Sequence, residues 1–260
     1  MSSTVVVEED DIRRLFGELR SCIRIERRCV VDELEAFQAF QDRVEGVSPS
    51  KPIRVDSRPR SVQHRQTLGL NTVRDEYEST VMSVPHYDEE YDDSYEESVI
   101  EEFGPEVGFL LTEGSCFDSR LKQALLDRAQ QCQSEREGLL RTLDIESESV
   151  TEVEEEISPV VAELQSFSTE RSLQENYGVI EAEWSRLAVL SGKVNQIATD
   201  RQRAINRQRR EFEIGIDAPD IPTYLYQGFE DRYPLLSVLV DVERRIQAFH
   251  SEREQTLSQV

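Results

Sequence analysis

The chain has 260 residues, of which 37% are hydrophobic, enough apolar material for one large domain or two small ones. It carries 53 Asp and Glu against 30 Lys and Arg, a formal net charge of -23, and this balance sets nucleic acid and anionic membrane aside as primary ligands.

The cationic side chains are lopsided as well: only Lys51, Lys122 and Lys193 are lysines, and the rest are arginines. Two causes of so acidic a chain compete, disorder and salt. Apolar periodicity along most of the length opposes disorder. In molar salt the Debye length falls to about 3 Å, so surface carboxylates repel one another weakly. Arginine keeps its charge there and pairs bidentately with carboxylates. A salt-rich cytoplasm is therefore the expected setting. No run approaches the roughly 20 apolar residues of a membrane span, and residues 1–11 lack the basic-then-apolar order of a signal peptide.

The first periodic segment, about 10–45, places Ile12, Leu15, Leu19, Cys22, Val30, Leu34, Phe37 and Val44 at three-four spacing and predicts one long amphipathic helix. Residues 46–69, punctuated by Pro49, Pro52 and Pro59, read as an irregular loop. A short-helix insert follows over 71–114. It begins at Asn71 or Thr72, stops at Pro85, resumes as a helix to Phe103, and ends with a further short helix after Gly104 and Pro105.

The most regular pattern covers about 118–167, from Leu121 and Leu125 to Leu164 and Phe167, with a stop and restart expected at Ser158–Pro159. A second covers 170–213 and puts Leu173, Tyr177, Ile180, Trp184, Leu187, Val194, Ile197, Arg201, Ile205 and Phe212 on one seam, roughly 65 Å of helix. Ser166 to Ser172 is the natural reversal between them. A last helix, 234–251, starts at Pro234 after a short aromatic segment with Tyr224, Tyr226, Phe229 and Tyr233. The expected fold is all-α, a single helical domain over 1–260. Its centre is a long antiparallel coiled-coil hairpin with an added N-terminal helix and short helices packed at one end.

Cys22, Cys29, Cys116 and Cys132 have no C-x-x-C or zinc-type spacing and are expected as free thiols. Around His86 the carboxylates Asp88, Glu89, Asp92 and Asp93 form the best candidate for a hard cation. So acidic a chain makes such clusters by chance, however, and no metal or cofactor is expected. Tyr87, Tyr91 and Tyr95 recur at four-residue steps, a stripe that either packs on the long helices or faces a partner. The run Arg201, Arg203, Arg207, Arg209 and Arg210 is the one locally basic patch. No nucleophile elbow, phosphate loop or dinucleotide fingerprint occurs, and no catalytic residue is assigned.

Several stretches carry a family resemblance: Ala36-Phe37-Gln38-Ala39-Phe40, Val73-Arg74-Asp75-Glu76-Tyr77, Met82-Ser83-Val84-Pro85-His86-Tyr87 and Tyr224-Leu225-Tyr226. With Glu135-Arg136-Glu137, the chain resembles a family of uncharacterised haloarchaeal proteins with a domain of unknown function over nearly their whole length. That resemblance implies a salt-adapted source and carries over no activity. The leading expectation is a non-catalytic cytoplasmic interaction or scaffold protein that binds a protein partner or a second copy. The alternatives are a metal-dependent hydrolase at the His86 cluster and a DNA-associated regulator using the 201–210 arginines.

Overall fold

The computed structural model describes residues 9–50, 60–169, 177–211 and 219–258. Among them every regular element is a helix: α1 (Glu9–Gly46), α2 (Arg60–Glu78), a 3-10 turn (Val81–Ser83), α3 (Tyr87–Glu90), α4 (Tyr95–Thr112), α5 (Ser119–Thr169), α6 (Tyr177–Glu211), α7 (Ile221–Leu225) and α8 (Pro234–Leu257). The all-α expectation holds. No helix among the described residues is long and apolar enough to cross a membrane. The chain divides into two compact units, residues 1–26 with 142–260 and residues 27–141.

In the 27–141 unit, α1 and α5 run antiparallel. As α1 advances from Glu33 through Gln41 to Glu45, its partners on α5 retreat from Arg136 through Gln133 to Lys122. Apolar side chains at helical spacing build the core: Phe37, Phe40 and Val44 from α1, Val73 and Tyr77 from α2, Val99 and Phe103 from α4, Leu125 and Cys132 from α5. Phe103 is the hub, since the rings of Phe40, Tyr77 and Phe37 lie 5.8, 5.5 and 6.3 Å from it. Lys122 closes the end of α1 by donating from Nζ to the carbonyls of Glu45 (2.7 Å) and Val47 (2.8 Å), acceptors that a helix C-terminus leaves free.

The 46–69 loop needs correction, because α2 already begins at Arg60. Leu70, Val73 and Tyr77 are buried in its later turns. No Pro or Gly interrupts 60–68, so nothing in these residues stops a helix, although no three-four spacing announces one.

The tyrosine stretch also departs from a single helix. Asp92 takes φ +49, a left-handed conformation that Asp tolerates, and ends the short α3. Ser94 then starts α4 with a capping box, its Oγ accepting from Glu97 N while Glu97 Oε2 accepts from Ser94 N. Gly104 (φ +81, ψ 163) breaks α4 into two halves as expected, with Pro105 opening the second. The halves fold so closely that a Cβ on Gly108 would lie 2.7 Å from Ile100 Cα, which is why position 108 takes glycine.

In the other unit, α6 runs antiparallel to both neighbours. Its residues Arg186 and Arg201 pair with Glu163 and Glu146 on α5, and Glu183 and Ser191 pair with Arg253 and Glu243 on α8. The core joins Phe16, Leu19 and Ile23 of α1 to Leu143, Ile157 and Leu164 of α5, Leu187 and Val194 of α6, and Leu239 and Val242 of α8. Arg20 pairs with Glu154 at its margin.

The break expected near 158–159 is absent, because α5 passes through Pro159 without interruption. Pro159 and Glu155, whose carbonyl loses its N–H partner, both lie on the exposed face, so the freed acceptor is not stranded in the core. Ile157, Val160 and Val161 keep the buried face continuous across it. Helix α8 continues past residue 251 to Leu257. Leu173, Phe212 and the later part of the Ser166–Ser172 reversal lie outside the described residues. Trp184, placed on the seam by spacing, is 36% exposed and stacks on His250 at 4.7 Å.

Candidate functional site

The His86–Tyr91 stretch stands against α1 and α5 in the 27–141 unit. Glu33 on α1 is the centre of a polar cluster. Its Oε1 lies 3.0 Å from His86 Nε2 and accepts from the Tyr91 hydroxyl at 2.8 Å, while Oε2 accepts from Arg136 Nε at 3.1 Å. An ionised carboxylate only accepts, so the His86 contact requires the proton on Nε2. Arg136 turns its other two nitrogens to Glu102 in a bidentate pair at 2.9 and 2.5 Å and spreads over the Phe37 ring at 4.8 Å.

Beside the cluster is a cavity of about 220 Å³ lined by Glu33, Phe37, Tyr87, Tyr91, Glu101 and Arg136, among others. Burial opposes the charge on Arg136, but the bonds and charges of Glu102 and Glu33 outweigh it and raise its pKa. Burial and then the Glu33 charge raise that of Tyr91. Burial, with Glu102 adding, pushes the Cys132 thiol up to about 12, so it stays protonated at neutral pH.

The candidate metal ligands do not converge. His86 faces Glu33, whereas Asp88, Glu89 and Asp92 are exposed. No group of three or more His, Cys, Asp or Glu among the described residues is placed to hold a metal ion. The tyrosines separate too, Tyr87 and Tyr95 being buried and Tyr91 44% exposed. A carboxylate-oriented imidazole is the first part of an acid–base–nucleophile set. Ser98, the serine that lines the cavity, already shares a hydrogen bond with Tyr77 at 2.8 Å.

The arginine patch also divides. Arg201 is buried and bidentate to Glu146, with Nη2 at 2.7 Å from Oε1 and Nη1 at 3.0 Å from Oε2. Nη1 donates to Ser149 as well, and Tyr226 and Gln208 donate to the same carboxylate at 2.8 and 3.4 Å. Arg203 pairs at the surface with Asp200. Glu33 and Glu146, the two acids that organise these clusters, were not singled out in sequence. The only local trace of Glu146 is a charged residue where the step from Leu143 to Val150 skips a position.

Burial raises the pKa of Tyr77, with its Ser98 bond working the other way, and raises that of Tyr226, with Glu146 adding to it. Burial pushes Tyr95 up to about 12 against the opposing charge of Arg74. Below pH 10, the ordinary tyrosine value, folded and unfolded chains both hold these protons. Above it the unfolded chain releases them first, so stability falls by about 1.4 kcal/mol per pH unit for each buried tyrosine. Phenolate absorbance should therefore rise in two steps, with Tyr77 and Tyr226 ionising only as far-UV circular dichroism is lost. A single step near pH 10 with intact helicity would contradict this.

Fold and clusters together define, among the described residues, an all-helical protein in which Glu146 with Arg201, and Glu33 with Arg136 and Glu102, hold their charges in ion-paired networks. The chain belongs to the family of the domain of unknown function DUF7260, whose model matches residues 14–250. No curated protein and no solved structure matches it.

Proposed function

We propose that the chain is a non-catalytic, coiled-coil-type interaction or scaffold protein of a salt-adapted cytoplasm, presenting helical faces to a protein partner or to a second copy. One observation carries this reading: the charged groups of the Glu33 and Glu146 clusters are spent on one another, while large apolar side chains are left facing solvent. On α4, Phe109 is 61% exposed and Leu110 and Ile100 are also exposed; on α6 the same is true of Val179 and Val189. These exposed apolar side chains are the surface that a partner or a second copy would cover. The charge of -23 and a basic set that is arginine at all but three positions support the salt-rich setting.

Sedimentation equilibrium in molar potassium chloride, paired with affinity capture from the native host, tests the proposal. Phe109→Asp should leave helicity unchanged while reducing either the self-association or the recovered partner at least tenfold. A strictly monomeric wild type whose captured proteins match those of the variant would sink the reading.

A further inference from the structure

We propose that the cavity beside Tyr87 and Tyr91 is a binding site for a small organic cation of the quaternary-ammonium class. Its charge comes first. Glu33, Asp93, Glu101 and Glu102 line it against a single guanidinium, Arg136, which is already shared between Glu33 and Glu102. Asp93 and Glu101 have no hydrogen bond or ion pair among the described residues, so within that set the carboxylates lining the cavity outnumber its one guanidinium. An anion would be repelled there. A neutral ligand would strip water from the carboxylates without repaying them.

The walls choose among cations. A bare metal ion needs several oxygen ligands converging on one point, and no such group is present among the described residues. The surface offered instead is aromatic and aliphatic. The Tyr87 and Tyr91 rings lie 5.5 Å apart at 46° and meet Val81 and Val84 around the same space. Aromatic faces attract methylated ammonium groups, which carry charge on an apolar shell and shed water cheaply. Arg136 over Phe37 is an instance of the same contact in this wall.

A second sign is independent of the charge. Tyr87 is 6% exposed, and its hydroxyl reaches only Ser98, whose Oγ is already bonded to Tyr77 at 2.8 Å, without making a hydrogen bond of proper geometry. Buried hydroxyls are rarely left so unless a ligand or water completes them. A volume of about 220 Å³ suits a ligand of choline size.

Choline is the probe. It is titrated into the full chain at constant high ionic strength and compared with its uncharged isostere, in which carbon replaces the quaternary nitrogen. Calorimetry and ligand-observed NMR should give a dissociation constant in the millimolar range or tighter, and the isostere should bind at least tenfold more weakly. Tyr91→Ala and Glu101→Gln alter exposed residues, so the fold should persist by circular dichroism while choline affinity falls at least tenfold and severalfold. Tyr91→Phe keeps the ring and should keep binding. No binding at tens of millimolar, equal binding of the isostere, or affinity unchanged in Tyr91→Ala would each overturn the proposal.

Discussion

Replacing Arg201 with Leu should destabilise the unit formed by residues 1–26 and 142–260 by about 3–5 kcal/mol, because it strands the Glu146 carboxylate in the core. Glu146 is 0% exposed and Arg201 3%, so neither side chain can reach water without opening the packing. Tyr226 and Gln208 would remain as donors but supply no countercharge. Paired replacement, Glu146→Leu with Arg201→Leu, should cost clearly less than the sum of the single changes. Arg201 Nε and Gln208 Oε1 have no partner even in the intact cluster, so part of its desolvation is never repaid. Denaturant titration of the four proteins closes the cycle. Additive losses would mean that the two groups do not act as a pair.

The second large effect belongs to Phe103 in the 27–141 unit. Phe103→Ala removes a ring that is 1% exposed and touches three other aromatic rings, and should cost about 3–5 kcal/mol. Phe103→Leu, which refills most of the volume, should cost roughly half as much. The change should also loosen the cavity, since Ser98, Glu101 and Glu102 are carried on the same half of α4. Thermal and denaturant unfolding read the stability directly. A loss under about 1 kcal/mol for the Ala variant would show that the aromatic cluster is not the anchor described.

Helix existence was legible in the residues wherever burial repeats at three-four spacing, as from Leu121 to Leu164. It was not legible at 60–69, where no three-four apolar spacing in the sequence announces the helix. Pro159 misled because sequence shows a proline but not which face it occupies. The split between α3 and α4 did leave a mark, Ser94-Tyr95-Glu96-Glu97, a capping pattern ahead of an apolar run. Arg201 was legible as a cation on an apolar seam, but its partner was not, because Glu146 lies 55 positions away. Glu33 and Arg136 are 103 apart, and nothing local in either helix announces the meeting. Sites assembled by tertiary packing are written in the fold and only faintly in the chain.

The Glu146–Arg201 pair also bears on uniqueness. Seams such as Val150, Val153 and Ile157 against Leu190, Val194 and Ile197 are nearly interchangeable, and antiparallel helices so lined could slide by a heptad at little apolar cost. Sliding by seven residues would bring Arg201 opposite Leu139 or Val153, leaving two buried charges unmatched. Each mismatch costs several kcal/mol, so the single charged step gives α5 and α6 one alignment among many near-equals. An aliphatic pair at these positions could hold the helices together just as firmly while no longer saying where they belong.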